Sequence, residues 1–250
     1  MKVYSTVLGL FTVGGMLVFS HRAWGQAVPS QLTSSLATAQ KQYKDAFPVD
    51  PQLYNGPEYL DYAKRYKVQT GHQFFLTSDK QNGSVYYNDH YFTGLQLLYD
   101  VVYDQIVLQH ATSPLSLKLV NENVRDFTIA GHRFVRLVTD STASPLIRTG
   151  FYEVLVDSTI QLIAKRAKQI EEKVEQNNVN AIFTPIDKLF IRKAGVYYAV
   201  SKKRPLLRLF ADHSKEVQKY IQDNKLKFKK ARREDTIIRL TRYYAGLVPQ

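Results

Sequence analysis

The sequence predicts an α+β protein, in which an antiparallel β-sheet meander, either an open sheet or a partial barrel, is covered by helices at the C-terminus. Three observations predict it. Hydrophobic residues alternate with a period of two in residues 73–137 and again in 149–165, turn residues separate these runs, and the period lengthens to three or four beyond residue 205. Alternation indicates strands with one buried face, whereas the longer period indicates amphipathic helices.

The first β block follows the turn at Asn82-Gly83. After a second turn at Asn88-Asp89-His90, alternate residues fall on one predicted face: Tyr91, Thr93, Leu95, Leu97 and Tyr99. Ile106 and Leu108 continue the alternation, and a further turn is predicted at Ala130-Gly131. Such a pattern is typical of a meander with one buried and one solvated face.

A second β block spans Thr149 to Lys165, with a hairpin predicted at Asp157-Ser158. Residues 165–180 are rich in charged and amide side chains, so they are expected to form a solvated extension and not part of the core. Another hairpin is predicted across Lys193-Ala194-Gly195, where glycine suits a left-handed turn position.

The remaining segments have helical spacing. Residues 26–47 predict a short helix or a loose arm, and Glu58 to Tyr66 places three tyrosines on one helical face. Near the C-terminus, Ser214 suits a helix N-cap. The last predicted helix carries an apolar stripe made of Ile237, Leu240, Tyr244 and Leu247. The predicted organisation is a signal peptide (1–25), a helical or irregular arm (26–70), an antiparallel β domain (71–201) and a helical segment packed on it (202–250).

The first twenty-five residues have the layout of a secretory signal peptide. Lys2 precedes an apolar run, and Ala23-Trp24-Gly25 offers the small residues that signal peptidase needs, so cleavage is predicted after Gly25. An uncleaved anchor is the alternative, but glycines interrupt the run. The mature chain is expected in the periplasm or outside the cell. It is expected to have no lipid anchor, because the chain has no cysteine to carry one.

The chain is strongly basic, with 34 lysines and arginines against 22 acidic residues, a net charge of +12. Removal of residues 1–25 takes away Lys2 and Arg22 and leaves +10. A positive protein outside the cytoplasm favours anionic lipid headgroups, surface polymers or an envelope protein as partners. Nucleic acid is not expected as a partner, and no cofactor is predicted.

The motifs G-x-S-x-G, S-x-x-K, H-E-x-x-H and G-x-G-x-x-G and the P-loop do not occur in this sequence, and thiol nucleophiles are excluded because cysteine is missing. Asp100, Asp104 and Glu153 leave open a carboxylate-based hydrolase. The repeated Tyr-Asp pairs are equally explained by turn capping and by ring packing. Four histidines in the β block (His72, His90, His110 and His132) do not have the spacing of metal ligands, so no metal site is predicted.

Two groups of residues are candidates for binding. The first is a tyrosine-rich face with two carboxylates, which would stack sugar rings or contact a protein: Tyr86, Tyr87, Tyr91, Tyr99, Asp100, Tyr103 and Asp104. The second is a basic patch for phosphate-rich lipid or a partner: Lys202, Lys203, Arg204, Lys225, Lys227, Lys229, Lys230, Arg232 and Arg233. Cross-strand packing and a solubilising linker are the respective structural alternatives.

Several short motifs resemble those of uncharacterised exported proteins of the Bacteroidota. They include Tyr54-Asn55-Gly56, Gly71-His72-x-Phe74-Phe75, Gly83-x-Val85-x-Tyr87, Leu98-Tyr99-Asp100, Asp104-x-Ile106-Val107, Gly150-Phe151-Tyr152 and Tyr197-Tyr198, with Tyr91 between them. The resemblance spans most of the mature chain and implies an envelope location and no established activity.

The function that these observations favour is a non-catalytic, exported envelope module. It would bind a protein or a surface polymer through the tyrosine-rich face, the basic patch or both. The main alternative is a carrier whose sheet encloses an apolar ligand, with Leu95, Leu97, Ile106 and Leu108 lining a void. The carboxylate-based hydrolase is the third possibility.

Overall fold

The structure is a computed structural model, and it describes residues 51–110, 112–139, 146–175 and 178–248, together with Ser35, Thr38 and Gln42. The described strands and helices belong to one compact unit, Val49–Gln250. The predicted signal peptide and most of the predicted arm before residue 51 lie outside the described residues, so export stays a prediction.

Ten strands form one large, open sheet in which every neighbouring pair is antiparallel, so the predicted fold class is confirmed. The strands of the described residues are β1 (Gln69–Thr70), β2 (Gln81–Tyr87), β3 (His90–Asp100), β4 (Gln105–Gln109), β5 (Ser116–Lys118), β6 (Val124–Ile129), β7 (His132–Leu137), β8 (Gly150–Asp157), β9 (Gln161–Lys165), β10 (Lys168–Glu175), β11 (Asn178–Pro185), β12 (Lys188–Lys193) and β13 (Val196–Ala199). Across the large sheet their order is β13-β12-β9-β8-β7-β6-β2-β3-β4-β5.

Two of the predicted hairpin turns have the backbone that tight hairpins require. Ala130 and Gly131 join β6 to β7, and Ala194 and Gly195 join β12 to β13. All four residues have positive φ, with values of 50° and 80° in the first turn and 50° and 81° in the second. This conformation matches the twist of the flanking strands, and glycine adopts it without steric cost.

Residues 165–180, predicted to form a solvated extension, lie mostly in strands and are mostly exposed or half-buried. They contribute β10 and the start of β11, which pair with each other in a separate three-stranded sheet whose third strand is β1. Most side chains of β10 are exposed, and half are both exposed and charged, which explains the polar composition of the segment. The buried residues of this sheet lie further along β11, where Ala181 and Phe183 pack against Ala63 and Tyr66.

Three α-helices follow the sheet: α1 (Lys203–Leu209), α2 (Ser214–Asp223) and α3 (Arg233–Leu247). They cover the sheet as predicted, since their apolar side chains share one core cluster with residues of β8, β9 and β12. Ile237, Leu240 and Tyr244 of the predicted stripe are buried. Ser214 is the first residue of α2 and not its cap. The segment Glu58 to Tyr66, which was predicted to be a helix with three tyrosines on one face, forms only a short 3₁₀ helix, Tyr62–Arg65.

The other half of the sheet has an aromatic core. Phe127 and Phe134 stack with ring centroids 4.7 Å apart, and Tyr99 packs against both rings edge-on. Leu97, Ile106 and Leu108 belong to the same buried cluster, and Leu95 packs against it. The residues that a carrier would use to line a void therefore lie in a packed core.

Candidate functional site

The seven residues of the predicted tyrosine-rich face do not share one surface. Tyr87, Tyr99 and Asp100 are fully buried, so the prediction that they contact a partner was wrong. Tyr87 and Tyr99 lie on the core side of their strands, and the Tyr87 hydroxyl donates a hydrogen bond to Asn55 Oδ1 at 2.6 Å. Cross-strand packing explains these tyrosines.

A bulge in β3 separates Tyr91 from the buried residues of its strand. Two residues of β3, Thr93 and Gly94, lie opposite one residue of β2, and Gly94 has a φ of 68°. The extra residue reverses which side chains face the core. Phe92 therefore packs against the core before the bulge, Leu97 is buried after it, and Tyr91 points outward with 60% of its surface exposed.

The remaining three tyrosines lie at two separate places on the surface, with Tyr91 and Tyr103 exposed and Tyr86 half-buried. Tyr86 lies opposite Tyr91 in the β2–β3 pair, and the Arg125 guanidinium lies over the Tyr86 ring at 3.4 Å. Tyr103 follows β3 at its far end and contacts the ring of Tyr62, with centroids 4.7 Å apart. The structure does not bring these tyrosines into one stacking platform.

Asp100 is held by four hydrogen bonds. It accepts from the hydroxyls of Tyr59 at 2.9 Å and Tyr62 at 3.3 Å, and from the backbone N–H groups of Val102 at 2.9 Å and Tyr103 at 3.1 Å. Burial raises the pKa of Asp100 above its usual range, although the hydrogen bonds favour the carboxylate. The arrangement closes the turn after β3 and leaves no oxygen without a donor.

Asp104 forms a second closed group with Lys165. The Lys165 ammonium lies 2.6 Å from Asp104 Oδ2, and Asp104 also accepts hydrogen bonds from the Tyr99 hydroxyl and the Phe151 N–H. Burial lowers the pKa of Lys165, while Asp104 opposes that shift. Gly150 has a φ of 150°, and a Cβ there would lie 2.3 Å from Asp104 Oδ2. Glycine therefore leaves the space that this ion pair occupies.

Among the described residues, Arg166 is the charged side chain with the most charged partners, and sequence reasoning missed it. Its guanidinium donates to Glu153 at 2.5 Å, to Asp187 at 2.8 Å, and to both oxygens of Glu234 at 2.8 and 2.6 Å. His132 contacts the remaining oxygen of Glu153. We call these five residues the Arg166 cluster. Burial opposes the charge of Arg166, but its bonds with Glu234 and the charge of Glu153 raise its pKa above the usual range.

The Arg166 cluster joins parts of the chain that are far apart in sequence. Glu153 belongs to β8, Asp187 lies between β11 and β12, and Glu234 lies in the first turn of α3. The bidentate contact with Glu234 fixes the start of α3, and therefore the basic segment that precedes it. A bidentate contact between an arginine and a carboxylate fixes the relative orientation of the two side chains and also stabilises the folded state.

No group of three or more His, Asp or Glu side chains within the described ranges is placed to hold a metal ion, and the four candidate histidines do not converge. His90 contacts the carbonyl of Asn88, His72 accepts from the N–H of Phe74, and His110 accepts from the N–H of Thr112. His132 is the only one of the four that contacts a carboxylate in the described part of the chain. His72, His90 and His110 therefore make hydrogen bonds within local turns, and His132 belongs to the Arg166 cluster.

The second predicted binding group comes together on the helical side of the molecule. We call its described members the basic surface: Lys202, Lys203, Arg204, Lys225, Lys227, Lys229, Arg232 and Arg233. Arg233 is half-buried and the others are exposed. None of them forms an ion pair with another described residue. The side chain of Lys230 lies outside the described part of the chain.

Alternation between residues 225 and 229 explains how the basic surface is built. Lys225, Lys227 and Lys229 point to solvent, while Leu226 and Phe228 are half-buried and pack against the helical core. This places three exposed ammonium groups on the segment that links α2 to α3.

Two contacts fix this segment to the helices. The carbonyl of Lys227 accepts a hydrogen bond from the buried hydroxyl of Thr236 in α3 at 2.8 Å. The ammonium of Lys203 in α1 lies 5.9 Å from the centre of the Phe228 ring. The basic residues around 203 and those around 228 therefore belong to one surface.

Charge is concentrated in this region. Residues 202–250 contain fourteen lysines and arginines and five acidic residues, so they carry a net +9 of the chain's +12. Two of the five acids are paired with cations from outside the segment, Asp212 with Lys193 and Glu234 with Arg166. The Asp212–Lys193 pair offsets one of the five negative charges, whereas Glu234 shares the single charge of Arg166 with Glu153 and Asp187.

The arrangement is suited to binding an anion-rich surface electrostatically. Comparisons with protein families, with curated proteins and with solved structures find no match for this chain. None of the described helices is both long and apolar enough to cross a membrane.

Proposed function

We propose that this protein is a non-catalytic, exported module that binds phosphate-bearing lipid headgroups at the cell envelope through its basic surface. The observation that carries the proposal is the set of exposed cations without ion pairs, mounted on a segment that is fixed to α1 and α3. Positively charged side chains near an anionic membrane contribute about 1 kcal/mol each. If six of the eight cations of the basic surface contact headgroups, the free energy of binding is about 6 kcal/mol, which corresponds to a dissociation constant of tens of micromolar.

The environment of the acidic residues supports a binding role over hydrolysis. Asp100, Asp104 and Glu153 were the candidates for acid–base chemistry, and each is held in its own set of hydrogen bonds or ion pairs. A carboxylate that works as a general acid or base needs access to a substrate. The packed aromatic core likewise favours a binding module over a carrier of an apolar ligand.

Co-sedimentation with vesicles tests the proposal. The chain spanning residues 26–250 is mixed with vesicles of phosphatidylcholine alone, or of phosphatidylcholine with phosphatidylglycerol, at low ionic strength. We expect binding only to the anionic vesicles. The triple variant Lys225→Glu, Lys227→Glu, Lys229→Glu should lose it, because each reversal replaces attraction by repulsion.

The matched control reverses three exposed lysines on another part of the molecule: Lys64→Glu, Lys67→Glu and Lys80→Glu. Both variants change the net charge by the same amount, so a difference in their binding cannot come from net charge. The control should retain most of the binding. Equal loss in both variants would show that net charge alone governs binding, and failure of the wild type to bind would contradict the proposal.

A further inference from the structure

The strand β13 is an edge of the large sheet, and no described segment pairs with its outer side. The N–H of Val200 bonds inward to Leu189 of β12. Because inward and outward groups alternate in an antiparallel pair, the N–H and C=O groups of Tyr197 and Ala199 point outward. Val196 and Tyr198 are 53% and 39% exposed, so the strand also presents apolar surface.

The edges at β5 and β10 are protected, whereas β13 is not. The outer side of β5 is covered by the preceding chain: the N–H of Tyr59 bonds to Ser116, and the N–H of Lys118 bonds to Pro57. The edge strand β10 carries five charged side chains among its eight residues. Proteins commonly use coverage and charge to prevent unwanted strand pairing. The residues of β13, Val-Tyr-Tyr-Ala, include no charge.

A cavity of about 570 Å³ opens where β13 ends. Apolar side chains make much of its wall, including Ile186, Phe190 and Val200. Its acidic groups, Asp187 and Glu234, are already paired with Arg166. Its basic groups, Lys188 and Arg233, have no ion pair with any other residue of the described ranges, so they are the charges in the cavity that are free to pair with a carboxylate of a ligand.

We propose that the β13 edge and this cavity bind an extended, acidic segment of a partner protein by strand addition. The backbone of the segment pairs with the outward groups of Tyr197 and Ala199, and one of its side chains enters the cavity. Its carboxylates face Lys188 and Arg233. In this mode main-chain bonds give affinity, and pockets for alternate side chains give specificity. The site shares only Arg233 with the basic surface, and it does not depend on the lipid-binding proposal.

Fluorescence anisotropy with a labelled peptide tests strand addition. The probe is an eight-residue peptide, Thr-Glu-Val-Glu-Val-Glu-Val-Thr, and its partner probe has lysine at each glutamate. We expect saturable binding of the acidic peptide only. Ala199→Pro should weaken binding at least about tenfold, because proline removes an outward donor and is tolerated at a sheet edge. Ala199→Gly is the matched control, since it keeps the donor and should bind within about threefold of wild type.

A second variant keeps the test independent of the proline. Lys188→Gln with Arg233→Gln should weaken binding of the acidic peptide about tenfold and remove its salt dependence. Circular dichroism confirms that each variant is folded. Unchanged affinity in the folded Ala199→Pro protein, equal binding of the lysine peptide, or failure of the acidic peptide to bind would each overturn the proposal. A dimer that Ala199→Pro converts to a monomer would also overturn it, because the edge would then be occupied by a second copy.

Discussion

The charged groups of the sheet and those of the basic surface differ in whether they are paired. In the sheet, Asp100, Asp104 and Arg166 are buried or half-buried, and each is surrounded by partners of complementary charge or hydrogen-bonding character. On the basic surface, Lys225, Lys227 and Lys229 are exposed without a counter-charge among the described residues. The difference teaches which charges to assign to stability and which to binding. Removal of a paired, buried charge leaves its partners unsatisfied, whereas an exposed cation alters the folded state little.

The largest expected effect is that of Arg166→Ala. The substitution leaves three carboxylates together without their shared cation, so we expect a loss of about 3–5 kcal/mol in the free energy of unfolding, measured by urea denaturation. Arg133→Ala serves as the control, because Arg133 forms only an exposed pair with Asp157. Its effect should be close to zero. Equal stability of Arg166→Ala and the wild type would show that the cluster is not a structural element.

The Asp104–Lys165 pair is tested through its neighbour Gly150. In Gly150→Ala the new Cβ would overlap Asp104 Oδ2 and approach Lys165 Nζ, and the positive φ adds strain. We expect a loss of about 2–3 kcal/mol in the same urea assay.

The control for Gly150→Ala is Gly246→Ala near the end of α3. A Cβ at Gly246 meets no atom within 4 Å. Because alanine has the higher helix propensity, this variant should be as stable as the wild type or slightly more so. Equal effects of the two substitutions would contradict the packing described around Asp104.

The pH dependence of stability tests the Arg166–Glu234 contact. The hydrogen bonds from Arg166 lower the pKa of Glu234 in the folded protein. The resulting stabilisation is therefore complete above the ordinary carboxyl range and is lost as the pH falls through the folded pKa. Glu234→Gln should be less stable than the wild type at neutral pH, and the two proteins should converge in acid.

Asp100 contributes to the same pH profile with the opposite sign. Burial raises its pKa in the folded protein, so its contribution to stability falls as the pH rises through that value. Since the wild type and Glu234→Gln both contain Asp100, its contribution cancels in their difference. Parallel pH profiles for the two proteins would contradict the assignment to Glu234.

The smallest expected effect on stability is that of breaking the hydrogen bond between Thr236 in α3 and Lys227 in the basic segment. Thr236→Val removes the hydrogen bond that holds the carbonyl of Lys227, which should cost about 1 kcal/mol. Because the basic segment is then less ordered, binding to anionic vesicles should weaken about two- to fivefold, since the ordering entropy is lost on binding. Unchanged binding with the expected loss of stability would show that the segment does not need to be fixed.

The hairpins and helices could be predicted because their signals are local. Ala130-Gly131 and Ala194-Gly195 supply turn conformations, and the stripe from Ile237 to Tyr244 marks the buried face of α3. The β10–β11 hairpin escaped prediction because its first strand is almost wholly polar, and only pairing with β1 and packing on Tyr66 place it.

The sites were less predictable because they depend on distant residues. The partners of Arg166 lie 13, 21 and 68 residues away, and no local pattern relates them. The prediction that the tyrosines share one face was wrong for a different reason. Alternation shows which residues share a face, but the bulge at Gly94 reversed the faces of β3. A glycine inside a predicted strand was the available signal. The basic surface could be proposed from the sequence because its residues stand in two short runs of positive charge, 202–204 and 225–233.

The most direct test of the central claim is lysine acetylation, measured by mass spectrometry with and without phosphatidylglycerol vesicles. If the basic surface contacts the headgroups, Lys203, Lys225, Lys227 and Lys229 should react several-fold more slowly in the presence of vesicles. Lys64, Lys67 and Lys80 should react at unchanged rates. Equal protection of both sets, or protection of the second set alone, would contradict the account.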